Sequence, residues 1–187
     1  MFLHSAAMDI RPDDVCLASA AVVGIAGGVF DLRSSRRIPN WFSYSSAVCG
    51  IVLRGALDGW RGLVSSMAAA IITFFFMAMF FRLHTMGGGD VKLITAIATF
   101  AAMPHVFMEM ACIALAGGVI AMGIIIWKRQ VGRRLGNVFM ILLHHFHGGL
   151  TPHPVLTLEG PDALKMPYGT AVALGSIAVL VITRGLK

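Results

Sequence analysis

"GLVSSMAAAIITFFFMAMFF", residues 62–81, decides the fold class of this chain. The stretch carries no charged residue, and about 20 predominantly apolar residues in a helix span the hydrocarbon core of a bilayer. Of the whole chain, 57% is hydrophobic and 13% is charged, whereas an average soluble domain is roughly 25% charged. The sequence therefore predicts a polytopic membrane protein.

Further apolar runs extend this prediction along the chain. We expect an all-α fold with six transmembrane helices, at about 15–30, 41–57, 62–82, 91–103, 105–127 and 167–183, and one domain over residues 1–187. The segment 128–166 has an apolar middle that is too short to span, so we expect an amphipathic helix along the cytoplasmic interface. Arg54, near one end of the second run, is expected to extend its long side chain to the interface.

Lysine and arginine residues predict the orientation, because cytoplasmic loops carry an excess of them. With both termini outside, the inner loops hold ten and the outer segments four, Arg54 being left near an outer end. The inner residues are Arg33, Arg36, Arg37, Arg82, Lys92, Lys128, Arg129, Arg133, Arg134 and Lys165, and the outer ones are Arg11, Arg61, Arg184 and Lys187. Since the basic residues follow the loops and no nucleic-acid-binding motif accompanies them, the net charge of +6 indicates topology rather than nucleic acid.

Acidic residues within or beside membrane spans are costly, so each one is a candidate for function. Most of the nine acids lie in predicted tails and loops, where solvation explains them. Asp31 ends the first span in "GVFDLRSSRRIPN", and Asp90 opens the fourth in "MGGGDVKL". Both are expected at the cytoplasmic edge. Glu109 lies near the outer end of the fifth span, where we expect a packing or interfacial role.

Two carboxyl groups that share a poorly solvated site do not both ionise cheaply, so one is expected to stay protonated beside an ionised partner. Aspartic proteases divide the work in this way: one group takes a proton from water and the other polarises the scissile carbonyl. This chemistry requires neither metal nor cofactor. The spacing fits equally a structural alternative, in which Asp31 caps a helix or pairs with Arg33 or Arg36 and Asp90 pairs with Lys92.

Gly87, Gly88 and Gly89 give the backbone before Asp90 unusual freedom. We hypothesise that this segment offers hydrogen-bond partners to an unwound substrate, although a plain turn explains it too. The histidines His144, His145 and His147 are not joined by a carboxylate or cysteine that would complete a ligand set. We therefore predict no metal site.

Taken together, these motifs resemble those of the type IV prepilin peptidases, which are bacterial members of the GxGD aspartic proteases. Residues 87–90 with the following "VKL" fit the GxGD motif. "DLRSSRRIPN" is similar to the family's first aspartate motif, and "KMPYGTA", residues 165–171, resembles the element that opens its last helix. The resemblance covers about residues 20–183.

The resemblance implies an endopeptidase of the bacterial inner membrane that removes a basic leader from prepilins at the cytoplasmic face. Asp31 and Asp90 would be the catalytic pair. The same motifs imply a substrate or active-site loop role for Gly87, Gly88, Gly89, Lys92, Arg36, Arg37, Pro39, Asn40, Pro167, Tyr168 and Gly169. The expected partners are a prepilin and membrane lipids.

The chain departs from the bifunctional relatives, which carry an extra segment with cysteine pairs and methylate the new N-terminus. Cys16, Cys49 and Cys112 form no CxxC pair, so methyltransferase activity is not expected. The short form is most similar to the peptidases of tight-adherence (Flp) pili, and archaeal preflagellin peptidases are of similar size.

Two other functions also need membrane carboxylates or membrane helices. A proton-coupled small transporter is the main rival, but carriers place their acidic residues near the bilayer midplane between repeats. The sequence shows no repeat, and its two aspartates are predicted at one edge. The third hypothesis is a catalytically silent scaffold for pilus assembly.

Overall fold

Four helices form the described part of the chain. The computed structural model describes residues 11–33, 38–83, 86–129 and 168–185, and the helical positions Gly132, Gly136 and Met140. The helices are α1 (Pro12–Arg33), α2 (Asn40–Arg82), α3 (Gly88–Trp127) and α4 (Tyr168–Gly185). Each is long and apolar enough to cross a membrane. Within these ranges the all-α prediction is confirmed, but the prediction of six separate spans is not supported.

The structure has fewer helices than predicted because two of the predicted turns are breaks inside longer helices. The predicted spans 41–57 and 62–82 both fall in α2, and 91–103 and 105–127 both fall in α3. In each helix one residue adopts non-helical dihedrals: Gly59 (φ 63°, ψ −149°) and Ala102 (φ 54°, ψ −177°). A single residue with positive φ redirects the chain without a loop, so each break joins two predicted spans within one continuous helix assignment.

The contacts around Gly59 show how far α2 is redirected. In a straight helix, residues eight positions apart are separated by about 12 Å. Yet a Cβ on Gly62 would collide with the backbone carbonyl of Arg54, and a Cβ on Gly55 would lie 3.5 Å from the Leu63 side chain. The two halves of α2 therefore fold back against each other at Gly59.

The break in α3 leaves backbone carbonyls without helical partners. The dihedrals of Ala102 interrupt the helical hydrogen bonds, and Pro104 has no N–H to donate. Side chains of α2 replace these partners: Ser66 Oγ donates to Thr99 O (2.7 Å), Arg54 Nε to Phe100 O (2.7 Å) and Arg54 Nη2 to Ala101 O (3.1 Å). Arg54 is only 2% exposed. The expectation that it reaches the interface is wrong, because its guanidinium caps buried carbonyls.

The helices pack around α3. α2 lies along α3, and α4 packs on both α1 and α3, whereas α1 and α2 touch each other at few positions. The main core combines residues of all four helices and two of their connections: Ala20, Ile38, Met77, Met86, Val91, Leu93, Ile94, Ile97, Phe100, Ile113 and Val172. The end of α1 and the starts of α2, α3 and α4 meet at one end of this core, which is where both aspartates lie.

The interfacial helix that we predict within residues 128–166 lies outside the described residues, apart from Gly132, Gly136 and Met140.

Candidate active site

Asp31 lies in the last turns of α1 and faces the inside of the bundle. Its side chain is buried, with 5% of the residue exposed. The carboxylate oxygen Oδ2 accepts a hydrogen bond of 3.0 Å from the backbone N–H of Gly169 in the first turn of α4. The first N–H groups of a helix have no partner within it, so Asp31 satisfies one of them across a helix–helix contact. The positive end of the α4 dipole also favours a carboxylate there.

Small residues let α4 approach α1 closely enough for the hydrogen bond between Gly169 and Asp31. A Cβ on Gly169 would lie 2.8 Å from the Asp31 Cβ and 2.9 Å from the Gly28 Cα, and a Cβ on Gly24 would lie 3.2 Å from the Ala173 Cα. Gly24 and Gly28 form a GxxxG pair, a pattern that lets membrane helices approach closely. The sequence GIAGG of α1, residues 24–28, thus places the Asp31 carboxylate against the α4 backbone.

Asp90 lies in the first turn of α3, three residues after the N-cap Gly87. Its carboxylate accepts a hydrogen bond from the backbone N–H of Gly87, and its own N–H donates to Gly87 O (3.2 Å). A carboxylate at this helix position that reaches back to the N-cap N–H is the reciprocal half of a capping box. The N-cap position is also close: a Cβ on Gly87 would lie 3.0 Å from Asp90 Oδ2.

The structure brings Asp31 and Asp90 together. The two carboxyl groups, which are far apart in sequence, lie within electrostatic range of each other, and the Tyr168 side chain lies within range of Asp90. Packing of α1 on α3 explains the approach, since a Cβ on Gly27 would lie only 2.6 Å from the Leu93 side chain. Three helix ends therefore bring both carboxyl groups to one end of the bundle.

Lys92 is directed away from this pair. Its Nζ donates to Asn40 Oδ1 (2.9 Å) and lies 5.5 Å from the centre of the Tyr44 ring. The structural alternative in which Asp90 pairs with Lys92 is therefore not what the structure shows. Lys92 and Asn40 instead link the start of α3 to the start of α2 beside the site.

The connection into α2 lines the same end. Ile38 is 8% exposed, and its Cβ would lie 3.6 Å from a Cβ on Gly89. Pro39 occupies the N-cap position of α2, where its carbonyl accepts from the N–H groups of Phe42 (3.1 Å) and Ser43 (3.4 Å). Of the remaining predicted site residues, Gly88 faces Phe81, whereas Arg36, Arg37 and Pro167 lie outside the described residues.

Glu109 lies apart from the site, in the second half of α3. It is 1% exposed, and the Ser176 hydroxyl of α4 donates to its Oε1. This contact joins α3 to α4 and agrees with the packing role expected from the sequence.

A cluster of charged side chains that was not predicted from the sequence lies at the end of the bundle opposite Asp31 and Asp90. Asp13 and Asp58, which we assigned to solvated segments, both accept from Arg54 Nη1, at 2.7 Å and 3.0 Å. Asp58 follows Arg54 by four residues, the spacing of a helical ion pair, and this signal was available in the sequence. The pairing with Asp13 was not, because it depends on how α1 packs.

Metal ligands do not gather in the part of the chain that the structure describes: no three histidine, cysteine, aspartate or glutamate side chains come together there. His144, His145 and His147 lie outside the described residues.

Comparison with known proteins adds one finding. No curated protein and no solved structure shows significant similarity to the chain. The model of the type IV leader peptidase family matches residues 18–126, a range that includes both Asp31 and Asp90 and ends before α4. Because this match covers more than half of the 187 residues, the chain belongs to the type IV leader peptidase family.

Proposed function

We propose that this chain is an aspartic endopeptidase that removes the basic leader from type IV prepilins of the Flp kind, with water activated between Asp31 and Asp90. The observation that carries this proposal is that two carboxyl groups from distant parts of the sequence lie at one end of the bundle, within electrostatic range of each other. Membership of a peptidase family gives the reaction class, and the geometry supplies two groups suited to it.

The reaction needs one ionised and one protonated carboxyl. The ionised aspartate takes a proton from a water molecule while the protonated one donates a hydrogen bond to the scissile carbonyl. The water oxygen adds to the carbonyl carbon, and a tetrahedral intermediate forms. The carbon–nitrogen bond then breaks, and the leaving amine takes a proton from the carboxyl that received it from water. The pair ends the cycle with the one proton it began with.

Backbone donors prepare the two carboxyl groups for these roles. Asp31 is held by the Gly169 N–H, and Asp90 by the Gly87 N–H. Each bond leaves other carboxyl lone pairs free for water or substrate. Groups that are held in place before substrate binds need little rearrangement during the reaction, and this preorganisation lowers the barrier.

We further propose six membrane crossings, with the reversals at Gly59 and Ala102 dividing α2 and α3 into two crossings each. The halves of α2 fold back on each other, and a side chain of α2 caps the carbonyls at Ala102. The excess of lysine and arginine in the alternate loops then places Asp31 and Asp90 at the cytoplasmic face of the bacterial inner membrane, with both termini outside. Basic leaders remain on that side, because the same rule retains them there.

The exposed surface beside the site suits an apolar substrate helix. Trp41 is 67% exposed and stacks edge-on against Phe30 and Phe42, with ring centres 6.4 Å and 6.0 Å away. Phe30 precedes Asp31 in the sequence. Aromatic side chains at a membrane edge accommodate both apolar chain and polar headgroups, so the substrate helix and lipids meet the enzyme beside the carboxyl pair.

Replacement of either aspartate tests the proposal. Coexpression with a prepilin that carries a basic, glycine-ended leader is expected to give a mobility shift with the wild type and none with Asp31→Asn or Asp90→Asn. Asp58→Asn is the matched control, because it removes a carboxylate at the other end of the bundle and is expected to leave processing intact. Normal leader removal by Asp31→Asn or Asp90→Asn would rule out the two-aspartate mechanism.

A further inference from the structure

The second charged cluster in the described chain consists of Arg54 with Asp13 and Asp58, and we call it the Arg54 cluster. Its guanidinium makes four hydrogen bonds: to Asp13 Oδ1 (2.7 Å), Asp58 Oδ2 (3.0 Å), Phe100 O (2.7 Å) and Ala101 O (3.1 Å). A buried charged cluster of this kind is costly to form, and breaking it is strongly destabilising. The leader-peptidase chemistry proposed above does not use it.

The Arg54 cluster lies far from the carboxyl pair but on the same two helical segments. At about 1.5 Å per residue, about 27 Å of α1 separates Asp13 from Asp31, and about 15 Å of α3 separates Asp90 from Phe100. Contacts between these ends follow one antiparallel register: Gly27 approaches Leu93, and Leu17 shares a buried cluster with Ala101. Arg54 joins the far ends of both segments.

The two acidic partners of Arg54 do different things. Asp13 is in the first turn of α1, so its bond ties α1 to α2 and, through the guanidinium, to the end of the first half of α3. Asp58 lies on α2 itself, four residues from Arg54, so its bond joins no second helix. Both carboxylates are similarly exposed, at 34% and 33%.

We propose that Asp13 and Arg54 are positioning residues, which fix the axial register of α1 against the first half of α3 and thereby the separation of Asp31 and Asp90. The expected effect on cleavage rests on the proposed function. The effect on the distance between Asp31 and Asp90 does not. The Gly27–Leu93 contact and the cluster of Leu17 with Ala101 are apolar and lack direction, whereas a charged hydrogen-bond fork has a defined geometry that can hold the register.

Asp13→Asn and Asp58→Asn form a matched pair of tests. Each replaces one of the two carboxylates that accept from Arg54 Nη1 by a neutral amide, and neither alters the Nε and Nη2 groups that donate to Phe100 O and Ala101 O. In the full-length enzyme, Asp13→Asn is expected to lower kcat for prepilin cleavage by at least about threefold with KM unchanged, since a misplacement of about 1 Å is enough to slow catalysis strongly. Asp58→Asn is expected to keep the wild-type kcat. Equal kcat values in the two variants would overturn the proposal.

Cross-linking supplies a readout that does not need activity. Asp31→Cys and Asp90→Cys are combined in a chain whose Cys16, Cys49 and Cys112 are replaced by alanine, and the pair is treated with a short bifunctional thiol reagent. Adding Asp13→Asn is expected to lower the cross-linking yield several-fold, and adding Asp58→Asn to leave it unchanged. Equal yields would overturn the positioning role. If the wild type cleaves no prepilin but the yields differ, the proposed function fails and the positioning inference stands.

Discussion

At the residue scale, the site depends on backbone N–H groups as much as on carboxylates. Asp31 and Asp90 each accept from a glycine N–H at the start of a helix, Gly169 and Gly87. At Gly169 the close approach leaves no room for a side chain, because an added Cβ would lie 2.8 Å from the Asp31 Cβ. Close approach to the two carboxyl groups thus explains Gly169 and Gly87, whereas a Cβ on Gly88 or Gly89 would meet Phe81 or Ile38 at ordinary contact distances.

Gly169→Ala tests this explanation. The added methyl group is expected to push α4 away from Asp31, lower the free energy of unfolding by about 1–3 kcal/mol as overpacking does, and reduce cleavage. Thermal unfolding in detergent and initial cleavage rates are the measurements. Gly185→Ala is the control on the same helix, since a Cβ there meets nothing within 4 Å. Equal stability and rates for both variants would contradict the close-approach argument.

At the scale of the helices, the break in α3 is maintained by side chains of α2. Ser66 is fully buried and donates to Thr99 O (2.7 Å), one of the carbonyls beside the break. On the other side of the break, the N–H of Met103 donates to Ser65 Oγ (3.0 Å). Hydrogen bonds from neighbouring helices replace those that a membrane cannot supply.

Ser66→Ala is expected to lower the free energy of unfolding by about 1–3 kcal/mol, because it leaves a buried carbonyl without its donor. Ser45→Ala serves as the comparison: its hydroxyl also bonds a backbone carbonyl, Phe42 O at 3.1 Å, but in an exposed position where another donor replaces it. Thermal unfolding in the same detergent measures both. A loss of stability no larger for Ser66→Ala than for Ser45→Ala would show that the break does not need this cap.

At the scale of the whole molecule, the packing places two groups of charged side chains at opposite ends. The carboxyl pair lies where the end of α1 meets the starts of α3 and α4, and the Arg54 cluster lies where α1 begins and the first half of α3 ends. The proposed six crossings assign the first end to the cytoplasm and the second to the outside.

Cysteine labelling of intact cells tests this topology. In a chain without its three native cysteines, Trp60→Cys, at a position that is 75% exposed, is expected to react with a membrane-impermeant thiol reagent added from outside. Lys128→Cys is expected to react only after the membrane is opened. If α2 crossed the membrane once, position 60 would lie within the bilayer and stay protected under both conditions. Protection of Trp60→Cys would therefore exclude the six-crossing topology.

The sequence by itself determined the helical membrane class, the two aspartates and the motif glycines, because these follow from composition and from local patterns of a few residues. Only the tertiary structure decided that Arg54 is a buried cap rather than an interfacial side chain, that Asp13 is its partner, and that Lys92 turns to Asn40 instead of Asp90. The predicted ends of the spans lie close to Gly59 and Ala102, but the structure was needed to show that a single residue with positive φ makes each break. The physical reason is that a charged side chain finds its partner through the packing of helices distant in sequence, and hydrophobic periodicity carries no record of that packing.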